Sequence, residues 1–226
     1  MVKILEDYFA ESLNRLNVLN VGGSSGIIDN YLAHHFSSVT GIDIDEAAIH
    51  HAQENFKKSN LQFQTGDAMN LEFEGNHFDV VICSHVYEHV PNAEVMFAEI
   101  YRVLKPSGIC YFTAGNRLIW HEPHHHLPLL SVLPRPFAHF YLRLTKKGNY
   151  YYEKHLTYWG LKRLVKKFEC FDYTKDTIYE PDKYATGYMV KSSKLVNYIA
   201  LFTVKYCYWI CPGYIWLLKK EDLNPG

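Results

Sequence analysis

The segment Val18-Leu-Asn-Val-Gly-Gly-Ser-Ser-Gly26, with Asp43 beyond it in Thr40-Gly-Ile-Asp-Ile-Asp45, constrains this chain more than any other stretch. Val18 to Val21 is an apolar run too short for a helix and flanked by turn residues, so it reads as a buried strand. Gly22, Gly23 and Gly26 supply backbone that can turn sharply and let a ligand come close. From Ile27 to Phe36 the apolar residues Ile27, Ile28, Tyr31, Leu32 and Phe36 recur at helical spacing. Ser38 to Asp43 is a second strand that ends on a carboxylate. A strand, a glycine turn, a helix and a strand with an acid at its tip bind a nucleoside beyond the strand ends, the acid accepting bonds from ribose hydroxyls.

The alternation continues down the chain. Ile4 to Leu16 predicts an amphipathic helix before the first strand. Further helices are predicted over Glu46 to Lys58 and Ala93 to Leu104. Leu61 to Thr65, Phe78 to Cys83 and Gly108 to Thr113 read as strands three to five. Thr157 to Phe168 predicts a helix with an apolar stripe at Trp159, Leu161, Leu164, Val165 and Phe168. Glu169 to Ile178 is then strand six, and Tyr214 to Lys219, after the Pro212-Gly213 turn, is strand seven. Strands separated by helices imply an α/β fold, a doubly wound and mostly parallel seven-stranded sheet with helices on both faces. At 226 residues a single domain spanning 1–226 is expected.

A dinucleotide fold wants G-x-G-x-x-G, and Gly22-x-Ser24-x-x-Ile27 fails at two of the three positions. The register Asn20-x-Gly22-x-Ser24-x-Gly26 instead resembles motif I of class I S-adenosylmethionine-dependent methyltransferases. Asn20 stands where that family carries an acid, and Ser24 where it carries the middle glycine. Other stretches are similar to the same family in the same order: Gly66-Asp67-Ala68 after strand three, Phe78-Asp-Val-Val-Ile-Cys-Ser84 with Val86-Tyr-Glu-His-Val90, and Glu99-Ile-Tyr-Arg-Val-Leu-Lys-Pro-Ser-Gly108. The resemblance implies an S-adenosyl-L-methionine site. Asp43 would hold the ribose, Asp67 and the Ala68 N–H the adenine, and Asn20, Gly22, Gly23, Ser24 and Gly26 the methionine portion. Ile44, Met69 and Ser84 complete the implied cofactor contacts. Last strand antiparallel, the sheet would close as that family's does. Two rivals stand beside methyl transfer. One is a cofactor-binding module without catalysis, motivated by Asn20 and Ser24; the other is an NAD-dependent oxidoreductase.

His85-Val-Tyr-Glu88-His89 matches the H-x-x-E-H zinc-protease pattern, which needs a helix; following directly on strand four, it reads instead as a loop beneath the cofactor, with His85 near the methyl-transfer point. His121-Glu122-Pro123-His124-His125-His126 is internal and bracketed by prolines. Neighbours His124 to His126 on an extended chain point in alternating directions and cannot all ligate one ion, so no metal is expected. A loop imidazole is suited to general-base work on a hydroxyl, which makes His85, His121 and His124 the candidate catalytic residues.

Some forty residues, 116–155, intervene after strand five. Such an insertion at a strand's carboxyl end is expected to form the acceptor pocket or lid, broken into short helices at Pro128, Pro134 and Pro136. Its Glu122-Pro-His-His-His-Leu-Pro-Leu-Leu-Ser-Val-Leu-Pro134 run resembles methyltransferases associated with surface-polysaccharide assembly. That implies O-methylation of a small or lipid-linked acceptor such as a glycan precursor. Residues 192–211, with the apolar run Lys194 to Ile210, predict a helix between strands six and seven. It is short for a membrane span and carries Lys205. Burial, a homodimer contact and a peripheral helix at the inner membrane face are the open readings, and Tyr198, Tyr206, Tyr208 and Trp209 fit the last.

Net charge −1 with pI near 6.9 argues against broad nucleic-acid binding. Five scattered cysteines without a C-x-x-C pair, and an acidic amphipathic start without an apolar leader, predict a reducing, cytoplasmic setting.

Overall fold

The computed structural model describes residues 1–187 and 194–221. A seven-stranded sheet is built from β1 (Asn17–Val21), β2 (Ser38–Asp43), β3 (Leu61–Thr65), β4 (Phe78–Ser84), β5 (Leu104–Gly115), β6 (Phe168–Asp172) and β7 (Gly213–Lys220). Their order is β3-β2-β1-β4-β5-β7-β6. The first five strands run parallel, and β7 is antiparallel to both β5 and β6. The strand order therefore reverses between β1 and β4, which stay parallel: the crossovers from β1 to β3 step one way across the sheet and that to β4 steps the other, and ligands of open α/β sheets bind beyond the strand ends at such a point.

Both faces of the sheet are covered, so its central strands are apolar without alternation. Val18, Leu19, Val80, Val81, Ile82, Cys83, Ile109 and Cys110 are all fully buried. One core packs α4 (Ala93–Val103) and α6 (Tyr158–Leu164) against the sheet, through Met96, Phe97, Ile100, Leu161 and Trp216. The other holds α1 (Val2–Phe9) and α2 (Ile27–Leu32), through Ile4, Leu5 and Leu32. Side chains start the helices that leave the ligand-facing strand ends. Asp45 accepts from Ala47 N at 2.9 Å and Ala48 N at 3.2 Å to cap α3 (Glu46–Asn55). Asn92 does the same for α4, accepting from Glu94 N at 3.0 Å and Val95 N at 3.2 Å.

Several expectations need correction. The first helix does not reach Leu16: it stops at Ala10, which is left-handed (φ 53), and Leu13 reaches the core from the following turns. Strand six ends at Asp172, and Thr174–Tyr179 is a helix (α7), because Asp172 Oδ1 accepts from Thr174 N at 3.0 Å and turns the chain. Trp159, counted in the apolar stripe of α6, stays outside the core with its ring 5.6 Å from that of Trp209, whereas Leu161 and Val165 are buried. The insertion contains a two-residue ribbon (His121–Glu122 with Leu127–Pro128), a short 3-10 turn and α5 (Arg135–Leu144) starting after Pro134. Leu127, Leu130, Ala138, Leu142 and Tyr151 give it a small core of its own.

Of the apolar stretch between β6 and β7, α8 (Lys194–Tyr206) is described, while positions 192 and 193 lie outside the described residues. Burial is not its explanation. Val196, Tyr198, Ile199, Leu201, Phe202 and Tyr206 are exposed, and Val204 turns inward. No helix among the described residues is long and apolar enough to cross a membrane.

Candidate functional site

The β1–α2 turn is locked to β2. Gly22 N and Gly23 N both donate to Ile42 O, at 2.8 and 2.9 Å. Gly22 and Gly26 adopt φ of +76° and +77°, which explains glycine there. The close approach is made by protein rather than by open space for a ligand. A Cβ on Gly22 would lie 2.6 Å from Val86 Cγ2, one on Gly26 2.7 Å from Ala52 Cβ, and one on Gly23 2.7 Å from Asp29 Oδ2. The contact at Gly22 holds the loop after β4 against the glycine turn. Ser24 also sits in the left-handed region (φ 48), so this serine occupies a conformation suited to glycine.

Asp43 is fixed by two backbone donors: Ser24 N to Oδ2 at 2.8 Å and Asp45 N to Oδ1 at 3.0 Å. Each carboxylate oxygen can accept more than one bond, so lone pairs remain for two vicinal hydroxyls. Ile44 beside it is 73% exposed, an apolar side chain at the strand tip where a planar base could stack. On the neighbouring strand, Gly66 N donates to Asp43 O at 2.9 Å, which ties the β3 tip to the β2 tip. Asp67 follows at once, its Oδ1 accepting from Met69 N at 2.8 Å, with Ala68 and Met69 partly buried against the main core. The two carboxylates predicted to share one adenosine thus stand on adjacent strands of the same sheet end. Ser84, at the β4 tip, is hydrogen-bonded to Thr113 Oγ1 at 2.7 Å across to β5.

Asn20 makes a contact that the sequence did not announce. It is buried below the turn, and its Nδ2 donates to Asp29 Oδ1 at 2.9 Å. Asp29 is fully buried, packs under Gly23 and Gly41, and its Oδ2 has no hydrogen-bond partner among the described residues. Burial pushes its carboxyl up to about 6; the bond from Asn20 opposes this and the Asp43 charge adds to it. With a folded value above the unfolded 3.8, this residue's contribution to stability is complete below about pH 3.8 and is lost as pH rises through 6. The loss at pH 8 amounts to roughly 3 kcal/mol. Asp29→Asn, which keeps an acceptor for Asn20, should raise Tm by roughly 6–12 °C at pH 8 and by about half as much at pH 5; equal shifts at both would contradict the assignment. Nothing in sequence periodicity marked Asp29, although an acid just inside a helix that follows a glycine turn was a legible signal.

The residues 85–90 form a turn rather than a helix, so His85 and His89 do not stack as zinc-protease ligands would. His85 is left-handed (φ 57) and solvent-facing, with Nδ1 3.4 Å from Oε1 of the buried Glu88. Burial opposes ionisation of Glu88, yet contact with His85 and the nearby His155 hold its carboxyl below the ordinary range. His121 is exposed in the ribbon with its ring 5.9 Å from that of His126, and the structure does not bring it to this cluster. His124 is brought there: its ring centroid is 4.9 Å from that of His89, and Nδ1 is 2.7 Å from Glu122 Oε1. His155, which no motif singled out, stands with Nε2 3.8 Å from the same Glu122 oxygen. Glu122 is fully buried; burial works against its charge, but His155, the His125 backbone and His124 together pull its carboxyl down to about 2.

Residues 19–112 match the family described as "Methyltransferase domain". Among characterised proteins, the ubiquinone biosynthesis O-methyltransferase of Pseudomonas putida is 32% identical over 147 residues, covering 63% of this chain and 59% of that protein. The Coxiella burnetii protein of the same name is 32% identical over 108 residues, covering 47% of this chain and 46% of its own. The chain thus spans about half the length of the curated relatives it matches. In fold it is similar to an S-adenosylmethionine-dependent methyltransferase from Mesorhizobium loti, with a TM-score of 0.62 at 12% identity over 97% of this chain and 98% of that one.

Proposed function

We propose that this chain, which belongs to the class I S-adenosylmethionine-dependent methyltransferases, transfers a methyl group to a hydroxyl of a small or lipid-linked acceptor. The observation that carries the reading is the pair of carboxylates, Asp43 and Asp67, at the neighbouring tips of β2 and β3, with His85 in the loop after β4 at the same end of the sheet. When bound, the cofactor supplies a methyl on an electron-poor sulfonium. Asp43 would accept from the ribose hydroxyls, Asp67 from the adenine amino group, and Ile44 would cover the base. The glycine turn, with Ser24 and Gly26, would bound the methionine end.

Transfer is an in-line displacement in which the acceptor oxygen bonds to the methyl carbon and the carbon–sulfur pair stays with sulfur. Most of the rate then comes from holding the two reactants in line. A hydroxyl must also lose its proton. His85, at the tip of β4 with Glu88 behind it, is placed to take that proton and return it to solvent.

A lipid-linked acceptor is supported by apolar side chains around the same end of the molecule. On α5 of the insertion, Phe137, Phe140 and Leu144 are exposed along one side while Ala138 and Leu142 face inward, and Arg135 and Arg143 flank them. The exposed side of α8 with Trp209 adds a second such surface. Both suit a helix lying in a lipid interface of the cytoplasmic leaflet. The similarity to proteins named for ubiquinone biosynthesis favours a ring hydroxyl over a glycan one, and the glycan precursor remains the competing acceptor.

The test offers S-adenosylmethionine with a polyprenylated catechol and with a polyprenyl-linked glycan, each in anionic vesicles, and follows S-adenosylhomocysteine release and vesicle co-sedimentation. Release with one acceptor, and sedimentation that weakens in Phe137→Ser/Phe140→Ser, is the expected result. Cofactor binding without release on any hydroxyl acceptor would favour a module that does not catalyse. Sedimentation indifferent to the double variant would remove the lipid reading.

A further inference from the structure

We propose that Glu122, His124 and His155 form a binding site for one divalent transition-metal ion, with zinc as the natural probe. The inference stands apart from methyl transfer and needs no acceptor.

One ligand atom from each residue lies within 4.8 Å of the other two, with His124 Nδ1 2.7 Å and His155 Nε2 3.8 Å from Glu122 Oε1. Tetrahedral zinc with bonds near 2.0–2.1 Å separates its ligand atoms by about 3.3 Å, so these spacings bracket what is required. Two imidazoles and a carboxylate suit zinc and its first-row neighbours, whereas magnesium and calcium prefer an all-oxygen shell.

His155 supplies the second, independent observation. The residue is 8% exposed, its ring fills the space a Cβ on Gly115 would meet at 3.4 Å, and neither ring nitrogen has a hydrogen-bond partner among the described residues. An imidazole buried in that way is costly, and coordination through Nε2 would relieve it. The carboxylate is already oriented, since Glu122 Oε2 accepts from His125 N at 2.6 Å, the kind of outer bond that steadies a metal ligand. Within the triplet the three rings point apart. Only His124 turns toward Glu122; His126 pairs with His121, and His125 stands 5.8 Å from the Tyr151 ring.

The location gives the site a use. Glu122 and His124 open the insertion, and His155 closes it, immediately before Leu156 bridges to Asn116 at the end of β5. A shared cation would staple both ends of the lid over the strand tips. Side-chain exposure of His124 (33%) leaves one edge of the site open to water or an acceptor oxygen.

The test uses the untagged 226-residue chain stripped with a chelator, then titrated with zinc against a chromogenic competitor and with cobalt by visible absorption. One equivalent should bind, the cobalt form should show the strong bands of a tetrahedral site, and Tm should rise with zinc. His124→Ala and His155→Ala should each weaken binding at least about 100-fold, while His121→Ala/His126→Ala, equally rich in surface imidazole, should bind as the parent does. Circular dichroism checks that the variants fold, and His124→Ala at the exposed edge decides the matter if His155→Ala does not. Zinc affinity unchanged in His124→Ala, or lost equally in His121→Ala/His126→Ala, would overturn the site, as would a parent that binds no zinc.

Discussion

Asp43→Ala should lower affinity for S-adenosylhomocysteine by about 100-fold or more, read by calorimetry. The carboxylate has two assignments at once. It would accept two ribose hydroxyls, and it already fixes Ser24 N and Asp45 N, so the glycine turn and the N-terminus of α3 are set by the same side chain. A hydrogen bond to a charged group contributes about 1.5–3 kcal/mol, and losing two gives roughly 3 kcal/mol, or a factor of about 100. Loosening of the turn adds to that. Asp43→Asn keeps one acceptor oxygen and should lose less, about tenfold. Unchanged affinity in Asp43→Ala would refute the ribose assignment, whereas a drop in the alanine variant alone would point to the turn rather than to the ribose.

His85→Ala should lower kcat on a hydroxyl acceptor by about 10²–10⁴-fold with cofactor affinity left alone. The imidazole is exposed, touches no residue assigned to adenosine, and stands before a buried carboxylate that can steady its charged form. Removing a group that acts only as the proton leaves should depress kcat and kcat/KM together. Glu88→Gln should reproduce part of the loss. Equal loss of cofactor affinity would make His85 a structural residue of the loop, and no loss at all would move the base elsewhere in the cluster, His124 first.

How far these residues were legible follows from the range over which their interactions act. The β-tips were readable because each is a local event: an apolar run stops, a turn residue follows, and an acid caps it. Sequence alone could therefore put Asp43 and Asp67 at strand ends and predict a mostly parallel sheet with an antiparallel last strand after Pro212. Element lengths were less readable. Leu13 and Leu16 continue a helical stripe, yet a left-handed Ala10 ends the helix and lets turns deliver Leu13 to the core. Thr174 to Tyr179 carry strand-like residues that Asp172 diverts into a helix.

Partners distant in sequence escaped altogether. Nothing local to Asn20 announces that Asp29 comes beneath the turn to take its amide. His155 drew no notice as a single histidine before a helix cap; only the closing of the insertion at Asn116 and Leu156 brings it to Glu122. The glycines were expected for the approach of a ligand, and Val86, Asp29 and Phe63 crowd them from the protein side as well.

The central claim is that adjacent strand tips hold one adenosine between them, and a crystal structure of the chain with S-adenosylhomocysteine tests it most directly. The account predicts ribose oxygens within about 2.6–3.2 Å of Asp43 Oδ1 or Oδ2 and the adenine amino group at the same range from Asp67. Electron density for the nucleoside at another end of the sheet, or with either carboxylate turned away from it, would contradict the assignment.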